Sequence, residues 1–273
     1  MTGICAAQPR FLRATAVPES RQRTSIVNES QTTPAVCSYL EWDSNFFGVR
    51  IGRIESRRLD PDVLAAATEW AHENRMDCLY FLSVADDPQT VHLAERNQFQ
   101  QVDVRMTFER NVPAAGPERA PLDAKIRIAE EKDLPALRAI ATVSHHDTRF
   151  YFDGYFDRTR CDQLYETWIE KSLHGFAQAV LVAERDAQPV GYVTLNLRKA
   201  ESQIGLIAIA AGHQGAGLGR VLVEHSLDWA RTKGARVMKV VTQGRNVPAQ
   251  RLYQRCGFLT GSFELWYHRW FRR

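Results

Sequence analysis

The chain has 273 residues, 44 % of them apolar and 25 % charged, enough to bury one large core or two modest ones. No apolar run approaches the roughly 20 residues that cross a bilayer, and the head has no apolar block of the secretory kind, so a cytoplasmic protein with no membrane partner is expected. The formal net charge of +3 is weighted toward that head, where Arg10, Arg13, Arg21 and Arg23 face only Glu19 and Glu29; the nearly neutral body argues against nucleic acid as a partner.

Residues 1–37 are rich in Ser, Thr, Gln and Pro without sustained periodicity and are expected to form a disordered extension. Ordered structure is expected from "SYLEWDSNFFG" at 38–48. A helix follows in "DVLAAATEWAHEN", a strand in "CLYFLSV", and a helix and strand in "HLAERNQFQQVDVRMTFER". Three prolines and a glycine crowd residues 111–124, which marks a linker. It divides the body into 38–110 and 125–273.

The second segment alternates strand and helix signals. "AKIRIAE" reads as a strand, "KDLPALRAIATVS" and "RCDQLYETWIEKSL" as helices, and "QAVLVAER" and "PVGYVTLNLR" as strands joined at 186–188. "SQIGLIAIAA" is a third strand and leads into four glycines within "GHQGAGLG" at 212–219; the helical pattern of "LGRVLVEHSLDWARTKG" then stops at Gly234. "ARVMKVVTQG" reads as a strand, "NVPAQRLYQRCG" as a short helix, and "FLTGSFELWYHRWF" as a closing hairpin whose apolar "FELWYHRWF" is a candidate surface for a homodimer. The five cysteines, Cys5, Cys37, Cys78, Cys161 and Cys256, are scattered without CxxC spacing, so neither a disulfide framework nor a metal site is expected.

A gap-free shift of 159 positions exposes an internal echo. Trp70 and Ala71 fall on Trp229 and Ala230, while Leu93, Arg96, Phe99 and Arg110 fall on Leu252, Arg255, Phe258 and Arg269. Common ancestry and a chance repeat of the helix-strand order explain this equally well. The copy lacks the loop chemistry: Gly217 and Gly219 align with Arg58 and Asp60, and Tyr253 with Ala94.

A helix N-terminus presents unpaired amides and a partial positive charge, which hold phosphate without a basic side chain. Glycines let those amides approach a ligand and permit positive φ. Gln214, Gly215, Gly217, Gly219 and Arg220 have this form, but neither GxxxxGK[ST] nor GxGxxG is present. An ordinary tight turn before a helix is the plain alternative.

The spacing Q-x-x-G-x-G at Gln214, Gly217 and Gly219, after an apolar strand, resembles the GNAT superfamily of acyl-CoA N-acyltransferases. The match continues through the helix, the next strand, Asn246, Tyr253 and Gly257-Phe258, and covers residues 125–271. The fold it implies is α/β (α+β): a mixed central sheet with splayed strands flanked by helices, preceded over 38–110 by a smaller truncated GNAT-like domain. The resemblance also implies acetyl-CoA as cofactor. Its pantetheine arm would bond the backbone of Ile207, Ala208 and Ile209, and its pyrophosphate would sit on Gln214, Gly215, Ala216, Gly217, Leu218, Gly219 and Arg220. Asn246 would contact the cofactor and Tyr253 would act as general acid. An amine attacks the thioester directly, so the burden is mostly orientation of two reactants, and no cysteine nucleophile is needed.

The general base stays open: His145, His146 and Asp147 lie in the loop between the first two helices of the second segment, which in this family borders the acceptor site, and a water relay is equally plausible. "HHDTRFYFDGYFDRTRCDQLYETWIEKSLHG" lies where this family binds its acceptor, and Arg149, Phe150 and Tyr151 have the chemistry to stack a base or sugar and pair a phosphate. A packed helix junction explains the aromatics as readily. Gln243, ending the strand after the glycine helix, completes the candidate substrate residues. The expected activity is N-acetylation of a nucleotide-linked amino-deoxy sugar; a peptide or small polyamine acceptor, or a CoA-binding regulator without turnover, are the alternatives.

Overall fold

The computed structural model describes residues 4–5, 35–116 and 124–271. Most of the expected extension at 1–37, and residues 117–123 of the expected linker, lie outside the described residues. The first half of the chain runs β1 (Ile4–Cys5), β2 (Cys37–Tyr39), α1 (Glu41–Phe47), β3 (Ile51–Ile54), α2 (Pro61–Glu73), β4 (Cys78–Val84), α3 (Pro88–Arg96) and β5 (Gln100–Asn111). The second runs β6 (Lys125–Ile128), α4 (Leu134–Thr142), α5 (Arg149–Asp153), α6 (Arg158–Lys171), β7 (Ala179–Arg185), β8 (Gln188–Arg198), β9 (Glu201–Ile209), α7 (Leu218–Thr232), β10 (Val237–Gln243), α8 (Val247–Arg255) and β11 (Leu259–Trp270). Among the described residues no helix is long and apolar enough to cross a membrane.

Local chemistry explains the helix starts. The Asp60 carboxylate accepts from the amides of Asp62 at 2.9 Å and Val63 at 2.8 Å, and Pro61 occupies the first turn, where no amide donor is needed. Asn246 does the same for α8 by accepting from Ala249 N at 3.1 Å.

The strands form one mixed sheet in the order β2-β3-β4-β11-β5-β10-β9-β8-β7-β6, with β1 antiparallel to β9 at Leu206 and Ile207. The order interleaves the halves. β11 lies between β4 and β5, and β5 lies between β11 and β10. Each half therefore inserts its last strand into the sheet of the other.

The echo at 159 positions becomes structural here. Shifted by that amount, Cys78–Val84, Pro88–Arg96 and Gln100–Asn111 land residue for residue on Val237–Gln243, Val247–Arg255 and Leu259–Trp270. The ladders obey the same shift: Cys78 pairs with Trp270 as Val237 pairs with Asn111, and Val84 pairs with Glu264 as Gln243 pairs with Arg105. The centre of this pseudo-twofold falls between Arg105 and Glu264, which face each other in the β5–β11 ladder and form an ion pair. Even the irregularities match, since the ladder skips Gly261 on β11 and Val102 on β5.

Alternation along the strands sorts the core into two faces. Leu79, Phe81 and Tyr267 pack with α2 and α3, and on the same face Phe108, Met238 and Val240 pack with α7 and α8. The opposite residues Cys78, Tyr80, Val182 and Tyr192 pack with α1, α4, α5 and α6.

One expectation needs correction. The closing hairpin is one continuous strand, because Gly261 makes a β-bulge rather than a turn and β11 finds both partners in the first half. Within "FELWYHRWF", Glu264–His268 is hydrogen-bonded to β4 on one edge and to β5 on the other. The helix α5, five residues long, had no periodic signal to announce it.

Phe108, fully buried, comes from the first half yet belongs to the core around α7 and α8. Phe108→Ala is expected to destabilise the protein by about 3–5 kcal/mol, read from the urea midpoint. A loss below about 1 kcal/mol would show that the exchanged strand is not part of that core.

Candidate active site

The parallel strands β9 and β10 pair only from Glu201–Val237 to Ile204–Val240. Beyond that point they share no ladder. A register shift in the β8–β9 pairing lies at the same place, between Val193 and Leu195, and a bulge bends the strand that carries it. Gly205 makes this possible: a Cβ there would come within 2.5 Å of Thr194 Oγ1, the atom that accepts from Leu206 N at 2.7 Å. The result is a cleft along the Ile207, Ala208 and Ile209 stretch of β9, where β1 lies alongside at Leu206 and Ile207.

The glycine loop closes one end of the cleft. Gln214 Nε2 donates to Ile209 O at 3.0 Å and folds the loop back onto β9. Gly215 and Gly217 adopt φ of 80° and 81°, a region that L side chains enter only with strain. Gly219 serves packing, because a Cβ would sit 3.1 Å from Leu252 on α8. Gly217 is the N-cap of α7 and makes no side-chain cap, so the amides of Leu218, Gly219 and Arg220 in the first turn are left for a ligand. Open space around Gly215 and that uncapped turn suit a pyrophosphate. Ala216 is exposed and Leu218 is buried beneath it; Arg220 is held by Glu224 at 2.7 Å.

Tyr253 is fully buried on α8, its ring 5.9 Å from Phe108 and 6.0 Å from Phe258. Asn246 is also fully buried and caps this helix. Its observed task is thus to hold the turn that presents Tyr253.

On the other face, the segment 143–157 covers the end of β10, and it redistributes the expected roles. His145 is fully buried, stacked on Tyr165 at 4.6 Å, with Nε2 2.9 Å from Tyr192 Oη. Burial pushes its pKa down to about 3, so His145 is a core residue rather than a base. Phe150 is likewise core, packed between Phe47 and Phe156, and offers no face for stacking a ligand. Tyr151 donates to Asp162 Oδ1 at 2.6 Å. His146 is half exposed, 4.0 Å from Asp162. Arg149 is buried, its guanidinium 4.2 Å above Trp266, 4.3 Å from Phe150 and 5.1 Å from Tyr80. Gln243, nearly buried, ends β10 opposite Arg105.

One residue was missed. Asp103 lies on β5 just past the end of β10, opposite Trp266 and therefore on the same face as Arg149. Arg245 reaches it at 3.8 Å while donating to Val102 O at 2.7 Å and lying 4.0 Å over the Phe152 ring. Burial pushes the Asp103 carboxyl up to about 7 against the opposing pull of Arg245 and Arg149, and the Asp147 carboxylate adds to the rise. Asp147 is itself raised by burial, opposed by Arg245. The only sequence signal of Asp103 is a carboxylate flanked by valines in "QVDVRM".

Comparison with known proteins meets this geometry. The sequence profile described as "Acetyltransferase (GNAT) family" matches residues 140–258. Over 237 residues the chain is 30 % identical to dTDP-fucosamine acetyltransferase of Escherichia coli O6:H1, covering 84 % of this chain and 96 % of that one. The chain belongs to the GNAT acetyltransferase family. A second relative of this GNAT protein is the spore coat polysaccharide biosynthesis protein SpsD of Bacillus subtilis, 24 % identical over 71 % of this chain and 67 % of that one. The fold matches the GCN5-related N-acetyltransferase from Sphaerobacter thermophilus with a TM-score of 0.63 at 14 % identity, over 87 % of this chain and 76 % of that one. As a GNAT acetyltransferase the protein uses acetyl-CoA.

The environment of Asp103 has a direct readout. Protein labelled with [13C]aspartate is expected to show one carboxylate titrating near pH 7 that disappears in Asp103→Asn. Titration of every carboxylate near the ordinary value of about 4 would contradict it.

Proposed function

We propose that this GNAT protein N-acetylates a nucleotide-linked amino-deoxy sugar, a dTDP sugar in the first instance, for a surface polysaccharide. The observation that carries this reading is the cluster just past the end of β10, where Arg149 lies against Trp266 and Arg245 against Phe152, with the Asp103 carboxylate 3.8 Å from Arg245 and Asp147 close enough to act on it. Guanidiniums beside aromatic faces suit a diphosphate joined to a ring, and a carboxylate that titrates near neutrality suits an amine that must lose a proton. The names of the two relatives, an acetyltransferase of dTDP-fucosamine and a polysaccharide biosynthesis protein, agree with that chemistry.

Bound acetyl-CoA supplies a thioester open to direct attack. In the proposed arrangement the amides of Leu218, Gly219 and Arg220, with Gln214, Gly215 and Ala216, hold the pyrophosphate; the backbone of Ile207, Ala208 and Ile209 guides the arm, displacing β1 from that edge, and Asn246 and Gln243 flank its far end. Asp103 takes a proton from the incoming amine at its carboxylate, and the Tyr253 hydroxyl gives one toward the departing sulfur, each step contributing about 10²–10⁴ in rate. Cysteine chemistry has no part: burial pushes the Cys161 thiol up to about 12 and Cys256 up to about 11. The same pair Asp103 and Asp147 also suits a small cationic amine, which is the second reading.

Thiol release from acetyl-CoA should be measured with a dTDP-linked amino-dideoxygalactose, with spermidine and with a lysine peptide. Turnover confined to the sugar is expected, and Tyr253→Phe should lower kcat about 10²–10⁴-fold without weakening acetyl-CoA binding. Preference for spermidine would replace the sugar reading by the second one.

A further inference from the structure

We propose that Asp153, His268 and Trp270 form a buried clamp that positions Arg149 at the acceptor side of the site. The proposal rests on the reading above that α5 lines the acceptor site. A helix as short as α5 has no stability of its own and stays where its ends are tied. Arg149 and Asp153 are its first and last residues. Four positions apart, they project from one face.

Both ends meet the same strand. Arg149 lies over Trp266, while Asp153 Oδ2 accepts from His268 Nδ1 at 2.7 Å and Trp270 Nε1 at 2.9 Å. Trp266, His268 and Trp270 alternate along β11 and so share a face. The helix rises about 6 Å over four residues and the strand about 6.8 Å over two, so the two ladders of contacts stay in step. The side chains of Asp153 and His268 are both fully buried.

The imidazole is held in one state. Tyr80 stacks on it at 4.4 Å and Phe156 meets it edge-on at 5.8 Å. Burial pushes its pKa down to about 4 despite the bond to Asp153, so at neutral pH it is uncharged and its proton sits on Nδ1, where the carboxylate receives it. Arg149 lies over the other ring of the same cluster, 5.1 Å from Tyr80, and its positive charge acts on His268 against that of Asp153. Without the two donors a buried carboxylate would be left under-compensated, and the helix would move to rehydrate it. His268 touches no reacting group and acts through Arg149, as a positioning residue.

The test compares His268→Phe, which keeps a ring and loses the donor, with His268→Asn, which restores an N–H near the Nδ1 position. In the full chain, His268→Phe is expected to speed amide hydrogen exchange across residues 149–157, leave exchange in α7 and β10 unchanged, and preserve acetyl-CoA binding. It should raise KM for a dTDP-linked amino-dideoxygalactose about tenfold or more, the effect of losing one hydrogen bond to a charged group, with kcat little altered; His268→Asn should reverse both effects. Unchanged exchange over 149–157 in His268→Phe, or no recovery in His268→Asn, would overturn the clamp. If Arg149→Ala leaves the sugar KM unchanged, or the wild-type protein does not turn the sugar over, the acceptor reading fails instead, and the exchange data still decide whether the clamp exists.

Discussion

Because β5 and β11 are hydrogen-bonded on both edges, and each is wedged between strands of the other half, neither half can complete its sheet alone. This exchange sets where everything else falls. Phe108 reaches the core beside Tyr253, and Asp103 reaches the end of β10, both from a segment that precedes the glycine loop by more than a hundred residues. Pairings at such separation are slow to form, and they tie the surroundings of Tyr253 and Asp103 to the integrity of the whole chain. Mutations in the first half are thus expected to be felt around Tyr253 and Asp103 without altering any residue of the glycine loop.

The parting of β9 from β10 and the buried cluster around Asp103 are two products of interrupted regularity. The bulge near Thr194 and the missing side chain at Gly205 separate β9 from β10, while the end of β10 leaves Asp103 without a strand neighbour on that side. The same burial that makes His145 useless as a base, by suppressing its charged form, makes Asp103 a stronger base than an exposed carboxylate.

The parts of the molecule that were legible in the sequence are those whose chemistry is local. Gly215 and Gly217 announce positive φ, Asn246 sits at a helix start, and Tyr253 follows at a fixed spacing; all act within a few residues of their own backbone. Asp103 was illegible because its meaning comes from Arg245, Arg149 and Asp147, none of them near in sequence. His145 and Phe150 were misread for the converse reason: a histidine pair and an aromatic run look reactive until packing hides them. Gly261 suggested a turn, since nothing local distinguishes a glycine that reverses a chain from one that bulges a strand. The echo was a string of coincidences in the sequence and is a match of ladders in the structure.

The contact at the centre of the pseudo-twofold has a consequence for how such a fold can exist. Two identical subunits meeting about that axis would bring each residue of the central pair against its own twin, arginine facing arginine or glutamate facing glutamate, and like charges directly opposite in a ladder repel. Arg105 facing Glu264 is an arrangement open only to unequal partners. By joining two similar but unequal halves covalently, the chain gains an attraction that perfect symmetry forbids, and that attraction favours the pairing of unlike halves over like ones.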